Sequence, residues 1–157
     1  MKRFIVLSIV LLMLAGFAIT SSAQELVVGR QHVPVGELSV EVDTGGNLVV
    51  TYNITDPEWE LLGTHLYVGT VAPTKSAPGQ FPYGPGDVVE EGKYEIALDG
   101  FIGTLFIAAH AEIGMIDEFG DPVLDENDEQ IEETTWAYGT QIRPGKNWAM
   151  YFAFTVE

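Results

Sequence analysis

The 157-residue chain carries 23 acidic side chains against seven basic ones, a formal net charge of −16, and no cysteine. This composition excludes a disulfide scaffold and a thiol nucleophile, and it withholds the clustered Lys and Arg on which nucleic-acid binding draws. The length suits one domain with a hydrophobic core of its own, and cations are the natural partners of so acidic a surface.

At the N-terminus Lys2 and Arg3 precede an apolar run from Phe4 to Ile19, and Thr20-Ser21-Ser22-Ala23 follows with small residues at the spacing a signal peptidase reads. The run is shorter than the ~20 residues a membrane span needs and has no basic stop-transfer flank. Residues 1–23 are therefore expected to be a cleaved signal peptide, with Gln24 the mature N-terminus and no transmembrane segment after cleavage. Removing them leaves five basic residues against 23 acidic, a formal charge of −18. No cysteine is present for lipidation, and Val156-Glu157 follows without an apolar tail. The expected product is secreted or extracellular, or retained in a periplasm.

Residues 24–35 form an N-terminal segment whose Glu25–Val28 and Val33–Val35 stretches have β-forming content, suited to a donor strand for self-association. The domain proper is expected over 36–157. Leu38, Val40 and Val42 alternate with polar residues, Thr44-Gly45-Gly46-Asn47 supplies turn chemistry, and Leu48, Val50, Tyr52 and Ile54 resume the alternation, which predicts a β-hairpin. Further strands are predicted from Trp59 or Leu61 to Thr70, over Lys93–Leu98, and over Thr104–Ile113 with Leu105, Ile107, Ala109, Ala111 and Ile113 on one face. The last two, Thr134–Ile142 and Asn147–Val156, flank a tight turn at Arg143-Pro144-Gly145-Lys146, and Trp148, Met150, Phe152, Phe154 and Val156 make an apolar stripe that must be core. Seven short strands separated by turns predict an all-β fold, an antiparallel two-sheet sandwich of immunoglobulin-like or Greek-key type; a closed β-barrel satisfies the same pattern.

Two connections are long. Residues 71–92 hold four prolines and four glycines around Phe81 and Tyr83, and residues 114–133 hold nine acidic side chains and no basic one. Loops of this length are often functional. In the acidic stretch Asp117, Asp121, Asp125, Asp128 and Glu132 offer hard oxygen donors of the kind calcium takes, without the spacing of an EF-hand. His65 and His110 fall within predicted strands; if those strands are neighbours the two imidazoles meet, and with Glu112 or Glu133 they supply the minimum for a transition-metal site and a metal-dependent hydrolase. Phe81, Tyr83, Trp136 and Tyr138 are the candidate ligand-binding aromatics, by the logic that places rings beside polar groups in sugar-binding modules. No Gly-x-Ser-x-Gly elbow and no phosphate-cradling loop occurs, so the expectation is a protein that is not an enzyme.

Thr64-His65-Leu66-Tyr67-Val68-Gly69, Pro78-Gly79-Gln80-Phe81-Pro82-Tyr83, Ile107-Ala108-Ala109-His110-Ala111, Glu133-Thr134-Thr135-Trp136-Ala137 and Asn147-Trp148-Ala149-Met150-Tyr151-Phe152 together resemble an extracellular β-domain of exported bacterial and archaeal proteins that has no established activity. The resemblance spans Gly36 to Phe154 and implies a secreted or surface module, with no catalytic or ligand-binding residue carried over. The expected function is a non-enzymatic binding or assembly module at the cell exterior, its partner a cell-surface component, a polysaccharide or a second copy of itself.

Overall fold

The computed structural model describes residues 20–157; the leader expected over 1–23 lies outside them except for its last four residues. Nine strands follow in order: β1 (Ser21–Val28), β2 (Val33–Val42), β3 (Asn47–Ile54), β4 (Trp59–Gly69), β5 (Lys93–Ala97), β6 (Gly103–Met115), β7 (Glu132–Ala137), β8 (Thr140–Gln141) and β9 (Met150–Val156). Every pairing is antiparallel, in the order β5-β3-β2-β1-β7-β6-β9-β8, with β4 on the other edge of β6. Among the described residues no helix is long and apolar enough to cross a membrane.

The predicted hairpin is present as β2–β3, and its register shows why the sequence alternates: Leu38 lies opposite Tyr52, Val40 opposite Val50 and Val42 opposite Leu48. These cross-strand apolar pairs turn one face of β5-β3-β2-β1 toward the core. The facing layer is built on β6, which carries β4 along one edge and, on the other, β9 over its first half and β7 over its second. Leu105, Ile107, Ala109, Ala111 and Ile113 point inward as the alternation predicts and meet Leu26, Leu38, Val40, Leu48, Val50 and Tyr94 in one core. The two layers are joined through β1–β7, where Leu26, Val27 and Val28 pair with Ala137, Trp136 and Thr135.

The structure is an open sandwich, not a closed barrel, because β4 and the β3–β5 side form no ladder. Side chains bridge that seam instead. The Tyr52 hydroxyl donates to the His65 carbonyl at 3.0 Å, and the buried Tyr94 hydroxyl lies 2.7 Å from Thr64 Oγ1 and within 3.2 Å of the Gly84 carbonyl.

Three expectations change. Residues 24–35 are not a separate segment: they form most of β1 and the start of β2, and β1 is hydrogen-bonded on both edges, so a donor-strand role would require extracting it from between β2 and β7. β1 also runs through the expected cleavage point, with Ser21, Ser22 and Ala23 opposite Glu41, Val40 and Ser39. The strand predicted over Thr134–Ile142 is broken into β7 and β8 at Tyr138-Gly139, where a Cβ at Gly139 would collide with the Tyr151 carbonyl oxygen. The C-terminal stripe divides as well: Phe152, Phe154 and Val156 join the main core, whereas Met150 and Trp148 pack on the opposite face of the second layer with Val27, Ala108 and Trp136. That second cluster explains why Ala108 and His110 are buried although they face away from the main core.

Candidate functional site

The outer face of β4-β6-β7 carries a continuous run of rings. His65 and His110 are direct cross-strand partners with ring centroids 5.8 Å apart, and His110 and Trp136 are partners on the other side at 5.0 Å. Phe81 meets Trp136 edge-on at 6.0 Å and Tyr67 at 6.0 Å, and Trp148 meets Trp136 at 6.5 Å. Nδ1 of His65 and of His110 are buried without a hydrogen-bond partner. His110 is 5% exposed, and burial, followed by the neighbouring His65, holds its pKa down at about 4. It is thus neutral at physiological pH, a polar ring seated in an apolar stack. The expected meeting of the two histidines is present, but neither Glu112 nor Glu133 completes a set. Among the described residues no three His, Cys, Asp or Glu side chains gather in metal-ligating range.

The acidic connection is ordered as two successive tight hairpins, closed by Asp117 N–H to the Asp121 carbonyl at 2.9 Å and Asp125 N–H to the Glu129 carbonyl at 2.8 Å. The β2–β3 turn has the same build, Asp43 N–H bonding the Asn47 carbonyl at 2.9 Å. In each five-residue turn the leading aspartate accepts from the amides of the third and fifth residues: Asp43 from Gly45 and Asn47, Asp117 from Phe119 and Asp121, Asp125 from Asn127 and Glu129. The fourth residue is left-handed, at φ 80° for Gly46, 83° for Gly120 and 62° for Asp128, which Gly and Asp tolerate. Amide bonds, from Asn47 first in one and Asn127 first in the other, hold Asp43 and Asp125 below the usual carboxylate range. In both Asp117 and Asp125 it is Oδ1 that accepts the pair of turn amides. Of the five candidate calcium ligands, Asp117 and Asp121 lie in the first hairpin, Asp125 and Asp128 in the second and Glu132 at the start of β7, and among the described residues no three of them gather in metal-ligating range.

The four candidate aromatics part company in space. Trp136 is 4% exposed, so it offers no free ring face; it is the floor on which Phe81 and Trp148 stand. Tyr83 pins the Pro/Gly connection to the edge of β4, with Leu66 N–H donating to its carbonyl at 2.9 Å and its N–H to the Leu66 carbonyl at 3.2 Å. Phe81 stays half-buried and lines an open cavity of about 310 Å³ with Tyr67, Pro73, Lys75, Gln80 and Pro82. The Tyr67 ring is fixed there by its hydroxyl, which donates to the Val71 carbonyl at 2.7 Å, and Gly69 leaves room for it. Tyr138 is exposed and meets His32 edge-on at 5.2 Å.

His32 in turn lines a second cavity of about 200 Å³, whose other walls include Arg30, Gln141, Lys146, Asn147 and Trp148. The Asn147 side-chain amide donates to Ser76 Oγ at 2.7 Å, tying this cavity to the connection that walls the first, while its Oδ1 is buried without a partner. The two cavities thus flank one junction, with Tyr67 and Phe81 on one side and Trp148 on the other.

Charge separates this surface from the rest. Lys93 pairs with Glu90 at 2.8 Å, whereas Arg30, Lys75, Arg143 and Lys146 have no carboxylate partner among the described residues, despite 23 acidic residues in the chain. Three of these four line the cavities, and Arg143 opens the turn that carries Lys146, whose N–H bonds the Arg143 carbonyl at 3.0 Å. Arg30, His32, Lys146, Asn147 and Trp148 are absent from the sequence-derived candidates. A usable signal was there: two of the five basic residues after position 23 fall within five positions of Trp148. The assembled surface offers ring faces, side-chain amides and unpaired cations in adjoining concavities. Comparison of the chain with models of known protein families, with curated proteins and with solved structures gives no match.

Proposed function

We propose that the chain is an exported, non-enzymatic binding module of the cell exterior, and that it binds a saccharide chain laid across the surface between the two cavities. The observation that supports this most is the placement of partly accessible rings at both cavities: Tyr67 and Phe81 at one, Trp148 at the other. Sugar C–H faces pack on aromatic rings while hydroxyls exchange hydrogen bonds with side-chain amides. Gln80 borders the first cavity, and Gln141 and Asn147 border the second. A preformed surface of this kind suits binding with little ordering cost.

The test is a glycan array followed by isothermal titration of the hits. Trp148→Ala and Phe81→Ala should each weaken binding at least tenfold, and Tyr138→Ala, outside both cavities, should change it less than twofold. Far-UV circular dichroism of each variant separates lost binding from lost fold. A protein that retains no glycan across the array refutes the reading.

A further inference from the structure

We propose, building on the saccharide reading above, that the ligand is an anionic polysaccharide of uronate type, with Arg30 and Lys146 as its carboxylate-binding pair and Trp148 beneath a neighbouring sugar ring. Lys75 repeats the arrangement beside Tyr67 and Phe81 in the first cavity. In a chain with so large an acidic excess, the cations do not lack partners for want of carboxylates, yet Arg30, Lys75 and Lys146 stand free at the concave surface. Arg presents a planar fork that matches a carboxylate, and such charge-assisted bonds are about twice as strong as neutral ones.

The net negative charge does not forbid this. No carboxylate lines either cavity: the second is walled by Arg30, His32, Gln141, Lys146, Asn147 and Trp148, and the first carries Lys75 among apolar and amide side chains. Physiological salt screens exposed charges over about 8 Å, so a bound polyanion senses chiefly the local cations.

The full chain without its leader is titrated with polygalacturonate, alginate and hyaluronate, with the methyl ester of polygalacturonate, and with poly-glutamate, at 0.05 and 0.5 M NaCl. Expected is binding of at least one uronate polymer, tenfold or more above the ester and above poly-glutamate, and weakened severalfold by the higher salt. Arg30→Gln and Lys146→Gln should each lower that affinity about tenfold. Both residues are exposed, so neither exchange disturbs the core. Equal binding of the ester overturns the anionic assignment while leaving a saccharide module standing. Poly-glutamate binding as tightly as the best uronate polymer overturns both, since the surface then acts as a simple ion exchanger. If no uronate polymer binds, the proposal fails, and a neutral hit on the glycan array keeps the broader reading alive.

Discussion

His110 should make the fold acid-labile in a window set by its own burial. Its folded pKa is about 4 against an ordinary 6.5, because burial first, and His65 second, penalise the imidazolium. Above pH 6.5 the ring is neutral in both folded and unfolded chains and contributes nothing to pH dependence. Between 6.5 and about 4 the unfolded chain binds a proton that the folded chain refuses, so stability falls as pH falls, by about 1.4 kcal/mol per pH unit. The accumulated loss is about 3 kcal/mol, a large fraction of the 5–15 kcal/mol that typically holds a domain together. Only 5% of the residue is exposed, so solvent screening takes little from this figure. His110→Phe keeps a ring against Trp136 and removes the titrating group. Urea denaturation of both proteins at pH 7.0, 5.5 and 4.0 measures the difference, and the carboxylates, common to both, cancel. At pH 7 the two should agree within about 1 kcal/mol, since the lost Nδ1 has no partner to leave unpaired. At pH 4 the variant should be the more stable by about 3 kcal/mol relative to its pH 7 offset. Parallel curves over this range would refute the argument and mean that the imidazole is hydrated in solution.

The seam and the turns give the other tests. Tyr94→Phe removes a hydroxyl held between Thr64 and the Gly84 carbonyl and should cost about 1–2 kcal/mol, measured by urea denaturation. Gly139→Ala drives a methyl group into the Tyr151 carbonyl and should cost about 1–3 kcal/mol, with a shift in tryptophan emission as Trp148 and Trp136 are displaced. Asp125→Ala should leave the global transition unchanged but speed hydrogen exchange at the Asn127 and Glu129 amides, which lose their acceptor. In the unaltered chain the same amides should lose protection as pH falls through the lowered Asp125 pKa, because the carboxylate that accepts from them is then protonated. Because the Asp117 and Asp125 carboxylates already bond turn amides, millimolar calcium should leave the melting temperature unmoved relative to chelator; a rise above about 2 °C contradicts the placement of these side chains.

The fold was largely legible because its strands alternate cleanly where one face meets the core. The β2–β3 hairpin and the inward face of β6 follow from period-two reading alone, and the Pro/Gly connection is held by apolar anchors, with Tyr83 in the main core and Phe81 on the outer cluster. Alternation failed where both faces are covered. Nothing local reveals that Ala108 and His110 lie beneath Phe81 and Trp148, since those lids come from segments 25 or more residues away in sequence. It failed again at Gly139 and at Trp148. There a strand pattern persists in the sequence after the ladder has ended, because β9 pairs with β6 only as far as Phe152 and continues against β8 alone.

The candidate site was hidden by averaging. Net charge and the acidic run drew attention to residues 114–133, where Asp117 and Asp125 accept from the amides of their own turns and exposed like charges are screened by salt. The informative charges are the few that run against the average. Arg30 and Lys146 form no ion pair among the described residues although the chain is strongly acidic, and both are placed by backbone geometry. Arg30 and Lys146 sit in or beside turns fixed by Gly29 at φ 66°, His32 at φ 54° and Gly145 at φ 77°, backbone shapes that commit both loops to one direction. Those two loops meet around Trp148 because β1 pairs with β7 and the chain leaving β8 folds back over that pair, Ile142 and Trp148 packing on Val27 and Trp136. The cavity is thus a property of strand order, and no window of the sequence contains it.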